Sequence, residues 1–418
     1  MWKSEELRKL LDKYGQSHLL EGLAGLDDDS AEKYLKTLGS IDYPLVEKLY
    51  RAANAGTSAD AAEEERYSPM PVTDSSALSP EEKERYVRLG GKYLREGRFC
   101  AVTMAGGQGT RLGHSGPKGT FDIGVNETSL FAIQAGRLAR RAAACGHAIP
   151  WYIMTSEEND GPTRQFFEEH RFFGLGRNNV RFFTQFMLPM VDFEGRIVRD
   201  TPHTVKMGAD GHGGIFKAMH RHGIVADMRK RGIEYAFIGG IDNVLVKLCD
   251  PLFIGFAAAH GYACAGKSLI KRDPYEKAGV FCLKDGRPYV VEYTEIPKSM
   301  AEATDPNGEF IYGDAHILCN MFSVDMLEAQ GSEGLPYHTA VKKTAFIGPD
   351  GDVHIPEKPN AYKFEAFIFD AFSSADSMGV LRVKREDEFA PVKNREGEDS
   401  PETARKLYLA AEAEGRLD

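Results

Sequence analysis

The sequence lacks any long apolar run. No stretch approaches the about 20 residues that a membrane-spanning helix needs, and Met1–Arg8 is charged and amphipathic rather than typical of a signal peptide. The six cysteines form no C-x-x-C pair and have no Cys/His spacing suited to zinc, so we expect reduced, mostly buried thiols. These absences favour a cytoplasmic protein without a membrane partner.

Positive charge is also scarce. The 418 residues include 62 Asp and Glu against 52 Lys and Arg, which gives a formal net charge of −10. Binding to duplex nucleic acid relies on a basic excess, so we expect no nucleic-acid partner. A chain of this length has room for two or three domains with a substantial buried core.

The first part of the chain has helical patterns. Apolar residues at helical spacing predict a helix that opens after Ser4 and further helices over 30–38 and 44–54. A capping box at Ser79 predicts another helix, which ends near Gly97 and is weakened by a Gly-Gly pair. The stretch 56–80, rich in Ala, Ser, Pro and acid, indicates an exposed linker or wrapping arm. We assign 1–95 to a helical N-terminal region that contains this linker.

From Phe99 onwards, short apolar runs alternate with helical patterns. The predicted strands are Phe99–Met104, Trp151–Thr155, Val180–Thr184 and Tyr235–Gly239, and the predicted helices are 128–145, 161–171 and 214–231. This alternation predicts an α/β fold with a mixed, mostly parallel sheet, on which ligands bind outside the carboxyl ends of the strands. Hairpin signals around Asp285-Gly286 and Asp350-Gly351 predict antiparallel additions. We assign 96–370 to a catalytic domain and 371–418 to a small C-terminal region.

The loop after the first strand is typical of phosphate binding. Gly106, Gly107 and Gly109 allow a tight turn that can bring backbone N–H groups against a phosphate. Arg111 and Lys118 add the positive charge that a polyphosphate requires. The alternative is a solvated glycine turn that happens to lie near two cations.

A second segment competes for the phosphate-binding role. Residues 261–268 match the formula of a Walker phosphate loop, from Gly261 to Ser268. A Walker loop leaves a buried strand and opens a helix, whereas here the preceding residues look helical and Asp273-Pro274 follows soon after. The context therefore indicates a coincidence, and a Walker-type NTPase is the alternative function.

Asp242 follows an apolar strand, where a lone carboxylate suits a magnesium ion that substrate phosphates also coordinate. The alternative is a helix cap or a turn aspartate. The glycine-dense stretch around His212 could lie against a base or a sugar, or it could be an ordinary turn.

Other polar residues give weaker signals. Glu292, Tyr293 and Asn320 lie on strand-like runs, where a carboxylate and an amide are natural partners for sugar hydroxyls, although each could be ordinary surface. Lys342, Lys343 and Lys363 are basic in an acidic chain, and such charges usually form a solvated face.

Taken in order, these motifs resemble the eukaryotic-type UDP-sugar pyrophosphorylases, most closely their UDP-N-acetylglucosamine pyrophosphorylase branch. The matching segments are Gly106–Gly113, Pro117–Gly119, Ile241–Pro251, Val291–Ile296, Asn320–Phe322, Lys358–Asn360 and Thr403–Arg405. The resemblance implies a Rossmann-like nucleotidyltransferase core with N- and C-terminal additions. It also implies a magnesium-dependent reaction in which UTP and a sugar 1-phosphate give a UDP-sugar and pyrophosphate.

The resemblance assigns roles residue by residue. It implies that the nucleotide is bound by Gly106, Gly107, Gly109, Gln185, Gly211, Lys342 and Lys343. It implies a catalytic group of Arg111, Lys118 and Lys363, and sugar contacts from His212, Glu292, Tyr293 and Asn320. Asp242 would bind Mg²⁺.

His212 bears on the choice of sugar. The N-acetylglucosamine branch usually has Gly-Gly-Asn-Gly-Gly in this loop, whereas the triplet Gly211-His212-Gly213 is similar to the one in UDP-glucose pyrophosphorylases. We expect N-acetylglucosamine 1-phosphate as substrate, with glucose 1-phosphate or a broad range of sugars as the alternative. A catalytically silent sugar-nucleotide sensor is an alternative of another class, and the oligomeric state stays open.

Overall fold

A computed structural model of the protein describes residues 4–55, 66–125, 128–348 and 350–417. The chain divides into two compact units, each assembled from three segments. The smaller unit comprises Met1–Ala59, Phe186–Gly214 and Leu335–Phe367, and the larger unit comprises Asp60–Gln185, Ile215–Gly334 and Ile368–Asp418. The predicted division into 1–95, 96–370 and 371–418 is linear and does not coincide with these units.

The larger unit contains one extensive sheet. Its strands among the described residues, β1 to β11, are Tyr67–Pro69, Thr73–Asp74, Phe99–Met104, Trp151–Thr155, Val180–Thr184, Tyr235–Gly240, Cys264–Ile270, Val280–Lys284, Arg287–Val291, Asp314–Ser323 and Gly379–Arg382. The main path runs β2-β11-β7-β10-β6-β3-β4-β5, and β8 pairs with β1, β9 and β10. Along that path only the two junctions of β10 are antiparallel, which confirms a mixed, mostly parallel sheet.

Part of the predicted linker belongs to this sheet. Residues 56–65 lie outside the described part of the chain, but β1 pairs with β8 and β2 pairs with β11. Strands of two or three residues are too short to produce a detectable alternation of apolar and polar side chains. The hairpin predicted at Asp285-Gly286 is confirmed: it joins β8 to β9, and both of its turn residues have positive φ.

Helices cover the sheet of the larger unit. Their bounds are Pro80–Arg95, Leu130–Cys145, Asp160–Glu169, Ile215–Arg221, Ile224–Lys230, Pro251–His260, Lys298–Ala301, Val324–Glu333, Arg385–Glu388 and Pro401–Ala413. Ser79 forms the predicted capping box with Glu82. The single helix expected over 214–231 is instead two helices, because the chain turns at Gly223 with a φ of 66°.

Gly90 does not simply weaken its helix. A Cβ at Gly90 would lie 2.0 Å from the carbonyl oxygen of Pro251, and one at Gly255 would lie 1.8 Å from that of Tyr86. The helices Pro80–Arg95 and Pro251–His260 therefore pack backbone against backbone. Glycine is required at these contacts because any side chain would push the two helices apart.

In its described residues the smaller unit combines three α-helices with short strands. The helices are Ser4–Lys13, Asp28–Ser40 and Tyr43–Asn54. Asp27 and Asp42 cap the second and third by accepting bonds from backbone N–H groups. A three-stranded antiparallel sheet has the order His338–Lys342, Ala361–Glu365, Val191–Asp192. The hairpin predicted at Asp350-Gly351 is also confirmed, since Phe346–Ile347 pairs with Val353–His354.

One expectation from composition is met. The cysteines are free thiols, and all except the partly exposed Cys145 are buried. Among the described residues no helix is both long enough and apolar enough to cross a membrane.

The segment that matches a Walker loop ends in a strand instead of opening a helix. Lys267 lies inside β7 and is fully buried, with its Nζ 2.7 Å from Asp250 Oδ2 and 2.8 Å from Glu388 Oε1. Burial raises the pKa of Glu388. Burial also opposes ionisation of Asp250, but the charge and hydrogen bond of Lys267, together with Lys247 and the N–H of Leu252, outweigh it and lower the pKa of that carboxyl. Lys267 is therefore a structural ion-pair partner and no phosphate-loop lysine, which argues against the NTPase alternative.

We expect the substitution Lys267→Met to lower the free energy of unfolding by about 3–5 kcal/mol, because it leaves two buried carboxylates without their cation. Urea denaturation followed by circular dichroism measures the loss. The matched control is Lys92→Met, because Lys92 is exposed and its nitrogen lies 3.8 Å from Glu96. A Lys267→Met variant as stable as this control would contradict the structural role.

Candidate functional site

The order of the strands reverses between β3 and β6 in the sheet of the larger unit: the chain adds β4 and β5 on one side of β3 and then places β6 on the other side. β3 and β6 are parallel, with Tyr235 beside Phe99 and Gly240 beside Met104. Both strands therefore end at the same edge. In open α/β sheets such a switch point is where ligands bind, because the connections leave it in opposite directions and open a crevice.

The glycine-rich loop after β3 is closed by its own backbone. Gly109 donates to the carbonyl of Gly116 at 2.9 Å, and Lys118 donates to that of Gly107 at 3.0 Å. A Cβ at Gly107 would meet nothing within 4 Å, so this part of the loop faces open space. A Cβ at Gly106 would lie 2.8 Å from the Gln185 side chain. The structure thus brings Gly106 together with Gln185, the residue that follows β5.

Lys118 and Asp242 meet at the switch point. Lys118 begins a short 3₁₀ helix after the glycine loop, and Asp242 follows β6 by two residues. Lys118 Nζ lies 3.7 Å from Asp242 Oδ2, and both side chains are partly exposed, at 18% and 26%. Arg111, on the 3₁₀ helix Thr110–Leu112, is exposed. Lys118 and Asp242 therefore place a cation and a carboxylate together at the crevice, and Arg111 lies on the loop that follows β3.

A buried polar chain supports these loops from below. The Trp151 indole donates to Thr103 Oγ1, Thr103 donates to Gln134 Oε1, and Gln134 donates to the carbonyl of Gly240, at 2.8, 2.8 and 3.0 Å. The three side chains are almost completely buried. The chain connects β4, β3 and a helix to the end of β6, so it fixes the backbone from which Asp242 projects.

Sequence reasoning missed Asn159. This side chain is fully buried after β4, and its Nδ2 donates to the carbonyls of Ala105 and Gly107 at 2.9 and 3.2 Å. Its Oδ1 accepts from the N–H of Ser156. Asn159 therefore ties the start of the glycine loop to the neighbouring strand end. Its position shortly after a predicted strand was the one available signal.

Asn243 has a similar role on the other loop. Its Nδ2 donates to the carbonyl of Glu388 at 2.6 Å, and its Oδ1 accepts from the N–H of Ala390 at 2.9 Å. The N–H of Val392 donates to the carbonyl of Asp242. Residues 388–392 thus hold the loop of Asp242 in place, a contact that no local pattern announces.

The three residues of the larger unit that are predicted to contact the sugar differ in how far they are buried. Glu292 directly follows β9 and is partly buried, whereas Tyr293 is exposed. Asn320 lies within β10 and is fully buried; its Oδ1 lies 2.9 Å from Nε2 of His316.

Five predicted site residues lie in the smaller unit. Gly211 has a φ of 87°, and a Cβ there would lie 2.3 Å from the carbonyl oxygen of Ala366, so this glycine is required by close backbone packing. The ring of His212 lies 5.4 Å from that of Phe367. Lys363 pairs with Glu365 at 2.7 Å, while Lys342 and Lys343 are exposed.

The chain matches a known protein family over most of its length. Residues 45–399 match the family model described as UTP–glucose-1-phosphate uridylyltransferase. The chain is 37% identical to a human protein named UDP-N-acetylhexosamine pyrophosphorylase-like protein 1, over 98% of this chain and 84% of the relative. It is also 37% identical to the UDP-N-acetylglucosamine pyrophosphorylase of Saccharomyces cerevisiae, over 97% of this chain and 89% of that protein.

A solved structure agrees with these relatives. The UDP-N-acetylglucosamine pyrophosphorylase of Trypanosoma brucei is 28% identical, with a TM-score of 0.84, and the match covers 98% of this chain and 86% of that one. The similarity thus extends over nearly the whole length of both proteins.

We expect Asn159→Ala to raise the Kd for UTP, because the glycine loop loses two bonds that hold its backbone. We also expect the free energy of unfolding to fall by about 1–3 kcal/mol, since the buried carbonyl of Ala105 loses its donor. Calorimetric titration and urea denaturation measure the two effects. Asn394→Ala is the control, because that exposed amide bonds a backbone carbonyl of its own loop. An unchanged Kd for UTP would contradict the role of Asn159.

Proposed function

Because the chain belongs to the UTP–glucose-1-phosphate uridylyltransferase family, we propose that it transfers the uridylyl group of UTP to N-acetylglucosamine 1-phosphate and releases pyrophosphate. The enzyme is a nucleotidyltransferase.

The pair formed by Lys118 and Asp242 is the structural observation that most strongly supports this proposal. Lys118 Nζ and Asp242 Oδ2 lie 3.7 Å apart on the two loops of the switch point, beside a glycine loop that faces open space at Gly107. A polyphosphate needs cations and backbone N–H groups, and a nucleotide needs a flat platform beside them. We assign the nucleotide to Gly106, Gly107 and Gly109, with Gln185 facing its base.

The chemistry needs no general base. The phosphate of the sugar 1-phosphate is already an anionic nucleophile, so one of its oxygens attacks the α-phosphorus of UTP in line. The bond between that phosphorus and the β-phosphate oxygen breaks, and pyrophosphate leaves with the electron pair. Catalysis then consists of positioning and charge neutralisation, which we assign to Arg111, Lys118 and Lys363.

Asp242 fits a magnesium ion. Mg²⁺ is usually held by one or two carboxylates together with substrate phosphates, not by a protein cage. Among the described residues no group of three or more His, Cys, Asp and Glu side chains gathers to hold a metal, whereas Asp242 is a single partly exposed carboxylate beside the proposed phosphates. When bound, the ion would neutralise phosphate charge.

The other residues that the family resemblance implies keep their implied roles in this proposal. We assign Gly211, Lys342 and Lys343 to the nucleotide side of the substrates, and His212, Glu292, Tyr293 and Asn320 to the sugar. These are assignments by residue type and motif order. A cytoplasmic location, expected from reduced cysteines, is part of the same proposal.

The names of the similar enzymes support N-acetylglucosamine 1-phosphate as the sugar. Glucose 1-phosphate is the second candidate, favoured by His212 between two glycines. Both sugars share the anomeric phosphate and differ at C2, so the phosphate chemistry is the same for either. The choice between them rests with side chains around the sugar ring.

We expect purified enzyme with UTP and Mg²⁺ to release pyrophosphate with a higher kcat/KM for N-acetylglucosamine 1-phosphate than for glucose 1-phosphate. A site built to pair the acetamido group would be left with unpaired polar atoms by glucose. The reverse order would make glucose 1-phosphate the substrate. If no pyrophosphate is released with either sugar phosphate, the catalytically silent sensor is favoured.

A further inference from the structure

One strand next to the switch point runs on beyond it. β10 is antiparallel to β6, and their last matched pair at this edge is Cys319 beside Gly239. The residues before Cys319 therefore extend past the carboxyl end of β6. Leu318 has a φ of 55°, and its Cδ2 would lie 3.4 Å from a Cβ at Gly240, which itself would lie 2.7 Å from Asp242 Oδ1. This part of β10 lies beside the crevice.

His316 occupies this extension. Its ring packs edge to face against Phe281, Phe369 and Phe372, with ring centroids 5.2, 6.0 and 5.9 Å away. The residue retains some exposure. Three aromatic neighbours restrict the ring to one orientation, so His316 is a rigid group at the edge of the site.

Asn320 lies behind His316. The two residues join through Nε2 and Oδ1 at 2.9 Å, and Asn320 is fully buried whereas His316 is not. Within the described part of the chain Asn320 Nδ2 has no hydrogen-bond partner. A buried unpaired amide is costly, and its retention requires an explanation such as a functional role. Holding His316 is the one side-chain bond that Asn320 makes there.

The backbone of His316 is also tied to the neighbourhood of Glu292. The N–H of His316 donates to the carbonyl of Gly279 at 2.8 Å. A Cβ at Gly279 would lie 3.1 Å from Glu292 Oε1. Gly279 therefore separates the strand of His316 from the carboxylate that we assign to the sugar, and its lack of a side chain leaves room between them.

The bond to Asn320 determines the tautomer of His316. A carboxamide oxygen accepts, so Nε2 carries the proton and Nδ1 presents a lone pair. Among the described residues none forms a hydrogen bond with Nδ1. Burial lowers the pKa of His316 to about 4, although the bond to Asn320 opposes this, and the ring is therefore neutral at neutral pH. An acceptor in this state pairs with a hydroxyl or an amide N–H.

We propose that His316 contacts the sugar, accepting a hydrogen bond at Nδ1 from a hydroxyl or the acetamido N–H, and that Asn320 is a positioning residue that acts through His316. This inference rests on the proposed function. It replaces the direct sugar contact expected of Asn320 with an indirect one.

The test measures binding of UDP-N-acetylglucosamine and of UDP to the full-length protein by calorimetry, with EDTA and without pyrophosphate so that no turnover occurs. We expect His316→Ala to raise the Kd for the UDP-sugar about tenfold through the lost bond, and to leave the Kd for UDP unchanged. His260→Ala is the control, because that ring also packs on aromatic neighbours. His260 precedes the start of β7, which pairs with Phe322 of β10, whereas His316 pairs with Ser268 further along β7.

Asn320→Leu tests the positioning role. We expect this substitution to raise the Kd for the UDP-sugar about as much as His316→Ala does. We also expect it to change the ¹⁵N chemical shifts of the His316 ring, whose signals are identified by their absence from the spectrum of His316→Ala. Unchanged shifts, or an equal rise in both dissociation constants, would overturn the inference. If His316→Ala does not fold, His316→Gln takes its place under the same criteria.

The two proposals fail differently. Wild-type protein that binds the UDP-sugar and releases pyrophosphate, but loses nothing in His316→Ala, overturns the role of His316 alone. Wild-type protein that does neither overturns the proposed function itself.

Discussion

β3 and β6 run side by side in parallel, with six matched residue pairs from Phe99 and Tyr235 to Met104 and Gly240. Because parallel strands end at one edge, the loops that follow them open on the same crevice. The first loop supplies Lys118 and the second supplies Asp242. An antiparallel pairing would place these side chains at opposite edges, so the chemistry depends on the direction of this one strand pair.

Buried amide side chains keep the two loops in position. Gln134 supports the end of β6, Asn159 holds the start of the glycine loop, and Asn243 fixes the loop of Asp242. Each makes bonds to backbone carbonyls or N–H groups in low-dielectric surroundings, where a hydrogen bond is electrostatically stronger than in water. The exposed charges of the crevice therefore project from a rigid backbone, which is what positioning catalysis requires.

The sheet was predictable because buried strands produce continuous apolar runs. Phe99–Met104, Trp151–Thr155 and Val180–Thr184 have the predicted bounds. The turn after β3 was predictable because glycines that follow a buried strand allow the backbone to turn tightly, while the phosphate-binding role of this loop stays a prediction. The Walker-like lysine was a false match, since a formula does not record that Lys267 lies inside a strand. The smaller unit was not anticipated, because segments far apart in sequence build it and no local pattern registers their contacts.

Residues without a motif were missed for the same reason. Asn159 and His316 have no motif, and their roles arise only from carbonyls and carboxamides that folding brings to them. Asn320 was singled out by type, but its burial redirects its role to the ring beside it. These roles depend on tertiary contacts, which leave no local pattern in the sequence.

A double-substitution cycle on Lys118 and Asp242 tests the central claim most directly. The claim is that both side chains act on the same phosphates at the switch point of the sheet. The rate of pyrophosphate release is measured for Lys118→Ala, Asp242→Ala and the double variant. The account predicts losses on the order of 10²–10³ for each single variant and little further loss for the double variant, as for groups that act as a unit. Losses that multiply, as they do for independent sites, would contradict it.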